Sequence, residues 1–255
     1  MSKGAGKSYD AVILAGGRAP WLREAQGTDI RCLAKIKNKR ILDYLVDALR
    51  ESCRVNRIMV AGPVAELSKE ELPAGVELCD AAGDMPSTAV HAAKVLGTTG
   101  KIFYVCDDIP LLHGAAIRDF LDQCEAAPQG QAYYPIIPKE VCLSDYPAAK
   151  RTYAKLADGT FTGGNMMIVD TEIMDLGLAK AREIFALRKN VWKLCRWLGF
   201  GFIFRLLIHS LTVADVERRT TELLELNSKA IISKYAEVGM DVDKMADLEL
   251  VEKYL

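Results

Sequence analysis

Short apolar runs rich in β-branched residues alternate with amphipathic stretches through the first half of the chain. Asp10–Leu14, Arg57–Val60, Val76–Cys79 and Lys101–Cys106 read as strands. Between them, Ile41–Ser52 sets Ile41, Leu42, Leu45, Val46 and Leu49 on one helical stripe, and Ser87–Leu96 and Ala115–Ala126 repeat the pattern. Strands separated by helices of this length make βαβ units. They predict an α/β fold with a mostly parallel sheet covered on both faces.

The pattern changes after Pro128. Ala132–Ile137 and Thr152–Leu156 read as strands, and Asp158-Gly159 marks a tight turn before Thr160 and Phe161. Residues 128–170 are therefore expected to form a smaller mixed-sheet region at one edge, placed to hold a second substrate. Helical material follows from Thr171 to Leu226, of which 184–226 reads as an addition, then a short strand at Ala230–Ser233 and a last helix at Met245–Tyr254. No internal repeat and no Pro/Gly/Ser-rich linker divides residues 1–255, so a single domain is predicted.

One stretch invites comparison with a membrane span. Val191–Leu211 carries Trp192, Trp197, Phe200, Phe202 and Phe204, but Lys193, Arg196 and Arg205 interrupt it. Its longest unbroken apolar run, Trp197–Phe204, falls far short of the ~20 residues that cross a bilayer. A hydrophobic cover or subunit contact is expected, with attachment to an anionic membrane surface the less favoured alternative.

Charge narrows the function classes. Lys and Arg number 33 against 34 Asp and Glu, a net charge of -1, so no global field draws nucleic acid and any phosphate site must be local. Met1–Asp10 is polar and lacks the apolar core of a secretory signal, which predicts a cytoplasmic location. The seven cysteines include no Cys-x-x-Cys pair, which argues against a disulfide framework and a zinc knuckle. His91, His113 and His209 lack metal-ligand spacing, and Gly4-Ala5-Gly6-Lys7-Ser8 has no strand before it and is no phosphate loop.

Three places carry candidate chemistry. The first strand ends in Leu14-Ala15-Gly16-Gly17 and runs into a polar loop through Arg18, Arg23, Thr28 and Arg31. Paired glycines let backbone N–H groups approach an anion while the arginines supply countercharge. Asp107-Asp108-Ile109-Pro110 follows an apolar strand, where a carboxylate overlies the ligand crevice of a parallel sheet and can hold a cation or cap a helix. Near the end, Asp241 and Asp243 alternate onto one side of an extended segment, although Asp243 is equally suited to capping the last helix.

Taken in order, Leu14-Ala15-Gly16-Gly17, Arg31-Cys32-Leu33-Ala34-Lys35, Asn38-Lys39-Arg40-Ile41-Leu42, Asp108-Ile109-Pro110 and Asp241-Val242-Asp243 resemble a known family. It comprises the nucleotidyltransferases related to molybdenum cofactor guanylyltransferase and the sugar-phosphate nucleotidyltransferases. The resemblance implies a Rossmann-like three-layer sandwich of the nucleotide-diphospho-sugar transferase type with a small mixed acceptor lobe. It implies that Leu14, Ala15, Gly16, Gly17, Arg18 and Arg31 meet the triphosphate, that Gly83, Asp84 and Asp107 lie on the nucleotide, and that Gly163, Gly164 and Asn165 line the acceptor pocket. Asp108 would hold Mg2+ or Mn2+ together with Asp241 or Asp243, and Arg18, Arg31 and Asp108 would be the catalytic set.

The implied reaction transfers a nucleoside monophosphate from a nucleoside triphosphate to a phosphorylated small molecule and releases pyrophosphate. Nucleic acid is not an expected partner, and a homo-oligomer is compatible. Departures are local: Arg18-Ala19-Pro20-Trp21-Leu22 replaces the family's hydroxyl residue and Arg-Met pair, Arg31 stands for its Lys, and Lys244-Met245 for its Thr-Pro. Two rivals remain, a glycosyltransferase using a nucleotide sugar and a nucleotide-binding regulatory protein without catalysis.

Overall fold

The computed structural model describes residues 6–187 and 197–255. Its centre is a nine-stranded sheet. In chain order the elements are β1 (Tyr9–Leu14), α1 (Leu22–Gln26), the hairpin β2 (Lys35–Ile36) and β3 (Lys39–Arg40), α2 (Ile41–Glu51), β4 (Val55–Gly62), α3 (Val64–Leu67), β5 (Val76–Asp80), α4 (Met85–Leu96) and β6 (Lys101–Cys106). There follow α5 (Gly114–Ala126), β7 (Ala132–Pro138), α6 (Lys139–Asp145), β8 (Ala154–Leu156), β9 (Gly159–Gly163), β10 (Met166–Asp170), α7 (Met174–Leu187) and, after two further helices at Phe200–Leu207 and Val213–Leu224, β11 (Ser228–Ile232). A last helix covers Met245–Glu252.

The sheet runs β5-β4-β1-β6-β10-β7-β9-β8, with β11 on the free side of β7. Pairing is parallel from β5 to β6 and between β7 and β11, and the registers leave only β9 and β10 running against the rest. This is the mostly parallel α/β sandwich the alternating pattern predicts. The period-two alternation along each inner strand explains the layers. Ala11, Ile13, Ile58, Val60, Phe103 and Val105 point to one face, where Leu42, Leu45 and Leu49 of α2 and Ile117 and Phe120 of α5 cover them. Val12, Met59, Ala61, Ile102 and Tyr104 point to the other, against Val90 and Ala93 of α4. Each fully buried leucine such as Leu45 contributes on the order of 2 kcal/mol.

The strands of residues 128–170 extend this sheet rather than standing apart from it. β10 has no counterpart in the local pattern, yet it is the strand that joins the halves: Met166 pairs with Val105 and Asp170 with Lys101 on one side, and Ile168 with Tyr133 on the other. The chain passes from β1 through α2 to β4 on one side, and from α4 to β6 on the other. The strand order therefore switches between β1 and β6, and their carboxyl ends flank the crevice where open α/β sheets take ligands.

Of the apolar segment 191–211, residues 191–196 lie outside the described residues. From Phe200 to Leu207 it is a short helix whose Phe200, Phe204 and Leu207 are exposed. No helix among the described residues is long and apolar enough to cross a membrane.

Candidate active site

The first wall of the crevice is the loop after β1. Ala15 still belongs to the sheet through its N–H to the Ala61 carbonyl (2.8 Å), and Gly16 and Gly17 then leave it. The loop closes on itself, because Arg31 donates its N–H to the Gly17 carbonyl (3.1 Å) and Ala19 to that of Asp29 (2.7 Å). Arg31 is thereby carried back over Gly17. A Cβ on Gly17 would lie 2.7 Å from Arg31 Nη2, whereas nothing lies within 4 Å of the same position on Gly16. The first glycine presents open backbone, and the second makes room for a guanidinium.

Arg18 turns the other way. Its guanidinium pairs with Asp29 (2.9 Å) and Glu66 (2.8 Å) on the rim of a shallow cavity of about 390 Å3 that Arg23, Thr28 and Lys69 also line. Of the two arginines expected at the triphosphate, only Arg31 lies beside Asp107, Asp108 and Asp243.

The second wall is the end of β6. Asp107 is fully buried, and its Oδ1 accepts from both Nε (3.1 Å) and Nη2 (2.9 Å) of Arg31. Asp108 Oδ2 lies 3.0 Å from the same Nη2, and Asp243 Oδ1 lies 3.1 Å from Nη1. Asp243 and Asp241 arrive from the far end of the chain because the Val242 N–H donates to the Asp108 carbonyl (2.9 Å). Carboxylate oxygens of Asp108, Asp241 and Asp243 come within 4.8 Å of one another. Asp107 Oδ2 and Asp108 Oδ1 are buried without a hydrogen-bond partner.

These surroundings set the charge states. Burial pushes the Asp108 carboxyl up to about 7; Arg31 opposes the shift, and Asp107 and Asp243 add to it. Burial likewise raises Asp107, against Arg31 and the Gly17 N–H. For Arg31 burial works against the cation, but the surrounding carboxylates outweigh it and its pKa rises. The group is a guanidinium held among three carboxylates at a sheet switch point, with one oxygen each of Asp107 and Asp108 buried and unpartnered.

The third wall lies between β9 and β10. Gly164 donates to the Pro135 carbonyl (2.9 Å) and Asn165 to that of Val238 (2.9 Å), while the Asn165 carbonyl accepts from Cys106 (2.9 Å), next to Asp107. Gly163–Asn165 are thus brought to the end of β6 beside the acids. Gly164 is a close approach, since a Cβ there would meet Val238 Cγ1 at 2.7 Å and Pro135 Cγ at 2.9 Å. Asn165 Nδ2 is buried with no partner.

Arg151 is the residue that sequence reasoning missed. It pairs with Asp241, donates Nη2 to the Gly163 carbonyl (3.2 Å), and keeps a buried Nε with no partner. With Lys150, Thr152, Thr162 and Lys244 it lines a cavity of about 270 Å3 that also borders Asp241 and Asp243. The only signal was two adjacent cations before a strand, which most surfaces contain.

Gly83 and Asp84 are not drawn into this cluster. They follow β5, two strands from β1, where Asp84 Oδ1 caps α4 by accepting from the Ser87 N–H (2.8 Å) and Oδ2 pairs with Arg182 of α7 (2.9 Å). Its acid is held low by the hydrogen bonds from Ser87, with a smaller contribution from Arg182.

A model of the MobA-like NTP transferase domain matches residues 11–173, a span that contains all three walls except the Asp241–Asp243 pair. The chain belongs to the MobA-like NTP transferase family. A solved relative within reach of this family, a hypothetical transferase from Thermus thermophilus, is 31% identical, covers 94% of this chain and 99% of its own, and superposes with a TM-score of 0.85. A 4-diphosphocytidyl-2C-methyl-D-erythritol synthase from Anaerococcus prevotii shares the fold at 11% identity, with a TM-score of 0.59 over 98% of this chain and 99% of its own. Among curated proteins, the bifunctional protein GlmU of Pelobacter propionicus is 25% identical over 116 residues, or 44% of this chain. The chain spans 25% of the length of that relative.

Proposed function

We propose that this protein transfers a nucleoside monophosphate from a nucleoside triphosphate to a phosphorylated small molecule, releasing pyrophosphate, with a divalent metal as cofactor. The observation that carries the reading is the meeting of Gly17, Arg31, Asp108 and Asp243 at the β1/β6 switch point. The donor set suits Mg2+ or Mn2+: it is all oxygen, and Asp108 keeps one buried oxygen free of other partners. Asp108 with Asp241 or Asp243 would hold the ion, which when bound supplies neutralisation of charge on the phosphate oxygens.

The chain's own residues do the rest by position and charge. The open backbone at Gly16 admits the phosphates, and Arg31, anchored by Asp107, offers a two-pronged contact to their oxygens. Arg18 stands at the rim and meets the departing phosphates by exchanging Asp29 or Glu66 for them. Gly163–Asn165 and the Arg151 cavity receive the acceptor, with the Asn165 Nδ2 and Arg151 Nε hydrogens as ready donors to its phosphate. An oxygen of the acceptor phosphate bonds to the α-phosphorus as the bond to the pyrophosphate oxygen breaks. The attacking oxygen is already ionised, so no side chain need remove a proton.

The reading is tested by pyrophosphate release with each of four nucleoside triphosphates against a panel of phosphorylated sugars, polyols and cofactors, with and without Mg2+. Metal-dependent pyrophosphate formation with one acceptor class supports it. Nucleoside diphosphate release from a nucleotide sugar would instead identify a glycosyltransferase. Tight triphosphate binding with no turnover on any acceptor would identify a regulatory nucleotide-binding protein.

A further inference from the structure

Arg31 uses the carboxylates that the metal site needs. Its Nη2 takes Asp108 and its Nη1 takes Asp243, two members of the three-carboxylate group, and its side chain is only 17% exposed. Its Nε goes to Asp107, which lies outside that group. The guanidinium is thus held at two stations: a pivot on Asp107, through Nε and Nη2, and a pair of reachable terminal contacts on the metal-site acids. Gly17 keeps the space around it clear.

We infer that Arg31 is a tethered counter-cation, which occupies the carboxylates in the metal-free chain and gives them up when metal and triphosphate enter together. This rests on the proposed metal-dependent transfer. Two cations cannot share the Asp108 and Asp243 oxygens at close range without strong repulsion. A metal arriving alone either pushes the terminal nitrogens of Arg31 off Asp108 and Asp243 or bears their repulsion across the same carboxylates. A triphosphate arriving alone faces uncompensated acids. When both arrive, the Arg31 nitrogens exchange carboxylate for phosphate oxygens while Asp107 retains Nε. Each ligand therefore favours the other, and the coupling must be reciprocal.

The inference is tested with Mn2+ as the probe, by calorimetry and by the loss of free-ion spin resonance, on the full chain without nucleotide. Arg31→Gln should bind Mn2+ about tenfold or more tightly than the parent, a gain in line with removing one charge from the site. Arg31→Gln leaves a buried Asp107 unpaired and so risks the fold, so the same comparison is made between Asp107→Asn and Asp107→Asn/Arg31→Gln, where the double variant should again be the tighter binder. Asp108→Asn should bind poorly with or without Arg31. Equal or weaker Mn2+ binding on removing Arg31, in a chain whose binding still depends on Asp108, overturns the counter-cation while leaving the metal site standing. Failure of Mn2+ to bind any of these proteins overturns the proposed function as well.

Discussion

Gly17 lies against Arg31 so closely that a methyl group there would stand 2.7 Å from Nη2 and 2.8 Å from Nε. Asp107, the carboxylate on which Arg31 pivots, accepts from that same Nε and Nη2, so a change at Gly17 presses on the pair. The obstructed atoms are the end of a flexible side chain, and Gly17→Ala is accommodated by moving Arg31 rather than by breaking the loop. The expected result is a folded protein destabilised by about 1 kcal/mol whose triphosphate affinity falls tenfold or more. Gly16→Ala has open space around it and should leave the melting temperature unchanged. Thermal melts and nucleotide titrations of the two variants separate the cases; equal nucleotide affinity in parent and Gly17→Ala would remove Arg31 from the phosphate site.

Asp108 predicts a pH dependence. Its carboxyl rises from an ordinary 3.8 to about 7 on folding, through burial first, with Arg31 opposing. Between those values the folded protein keeps a proton that the unfolded chain has already lost, so the folded state binds more protons and stability falls as pH climbs through the window. Metal-free protein should therefore melt at a lower temperature near neutral pH than near pH 5, and Asp108→Asn should flatten that slope. Parallel slopes for the two proteins would show that another group titrates.

Asp107 and Asp108 should also separate in catalysis. Under the proposed metal-dependent transfer, Asp108→Asn removes one of the ion's carboxylates and should cost several kcal/mol of transition-state stabilisation, with each ~1.4 kcal/mol a tenfold loss of rate. Asp107→Asn leaves the three-carboxylate group intact and loosens Arg31, so its loss should be smaller and fall more on the nucleotide KM than on kcat. Metal-dependent pyrophosphate release by the two variants is the measurement. A dead Asp107→Asn beside an active Asp108→Asn shifts the ligand by one residue.

The legible parts of this molecule were those written in local order. Parallel strands buried on both faces read as continuous apolar runs, which is why β1 and β6 stood out, and turn chemistry exposed the hairpin at Asp158-Gly159. β10 did not, because Met166–Asp170 is a short apolar run after Gly-Gly-Asn, and its identity as a strand comes from pairing with β6 some sixty residues earlier. Site residues followed the same division. Asp108, Asp241 and Asp243 were named from motifs, but the contacts that bring Arg31 to Asp107 and Asp243 bridge 76 and 212 positions, a distance no periodicity spans. Asp84 illustrates the converse: a position matched by resemblance is engaged, among these residues, in capping a helix, for which Asp is well suited.

Arg151 supplies the last prediction. It joins Asp241 of the three-carboxylate group to the Gly163 carbonyl, and its Nε is buried with no partner beside a cavity bordered by Lys150 and Thr162. A buried guanidinium hydrogen without an acceptor costs about 1–3 kcal/mol, which an incoming phosphate oxygen would recover. Arg151→Ala should therefore raise the KM for the phosphorylated acceptor by about tenfold to a hundredfold, with the nucleotide KM moving much less. Arg151→Lys keeps the charge but loses the fork, and should recover part of the acceptor affinity. A brace with no contact to the acceptor behaves differently: its loss lowers the melting temperature and raises both KM values together, and Lys restores neither. Steady-state kinetics with each substrate varied in turn, alongside thermal melts, decides between an anion-binding Arg151 and a purely structural one.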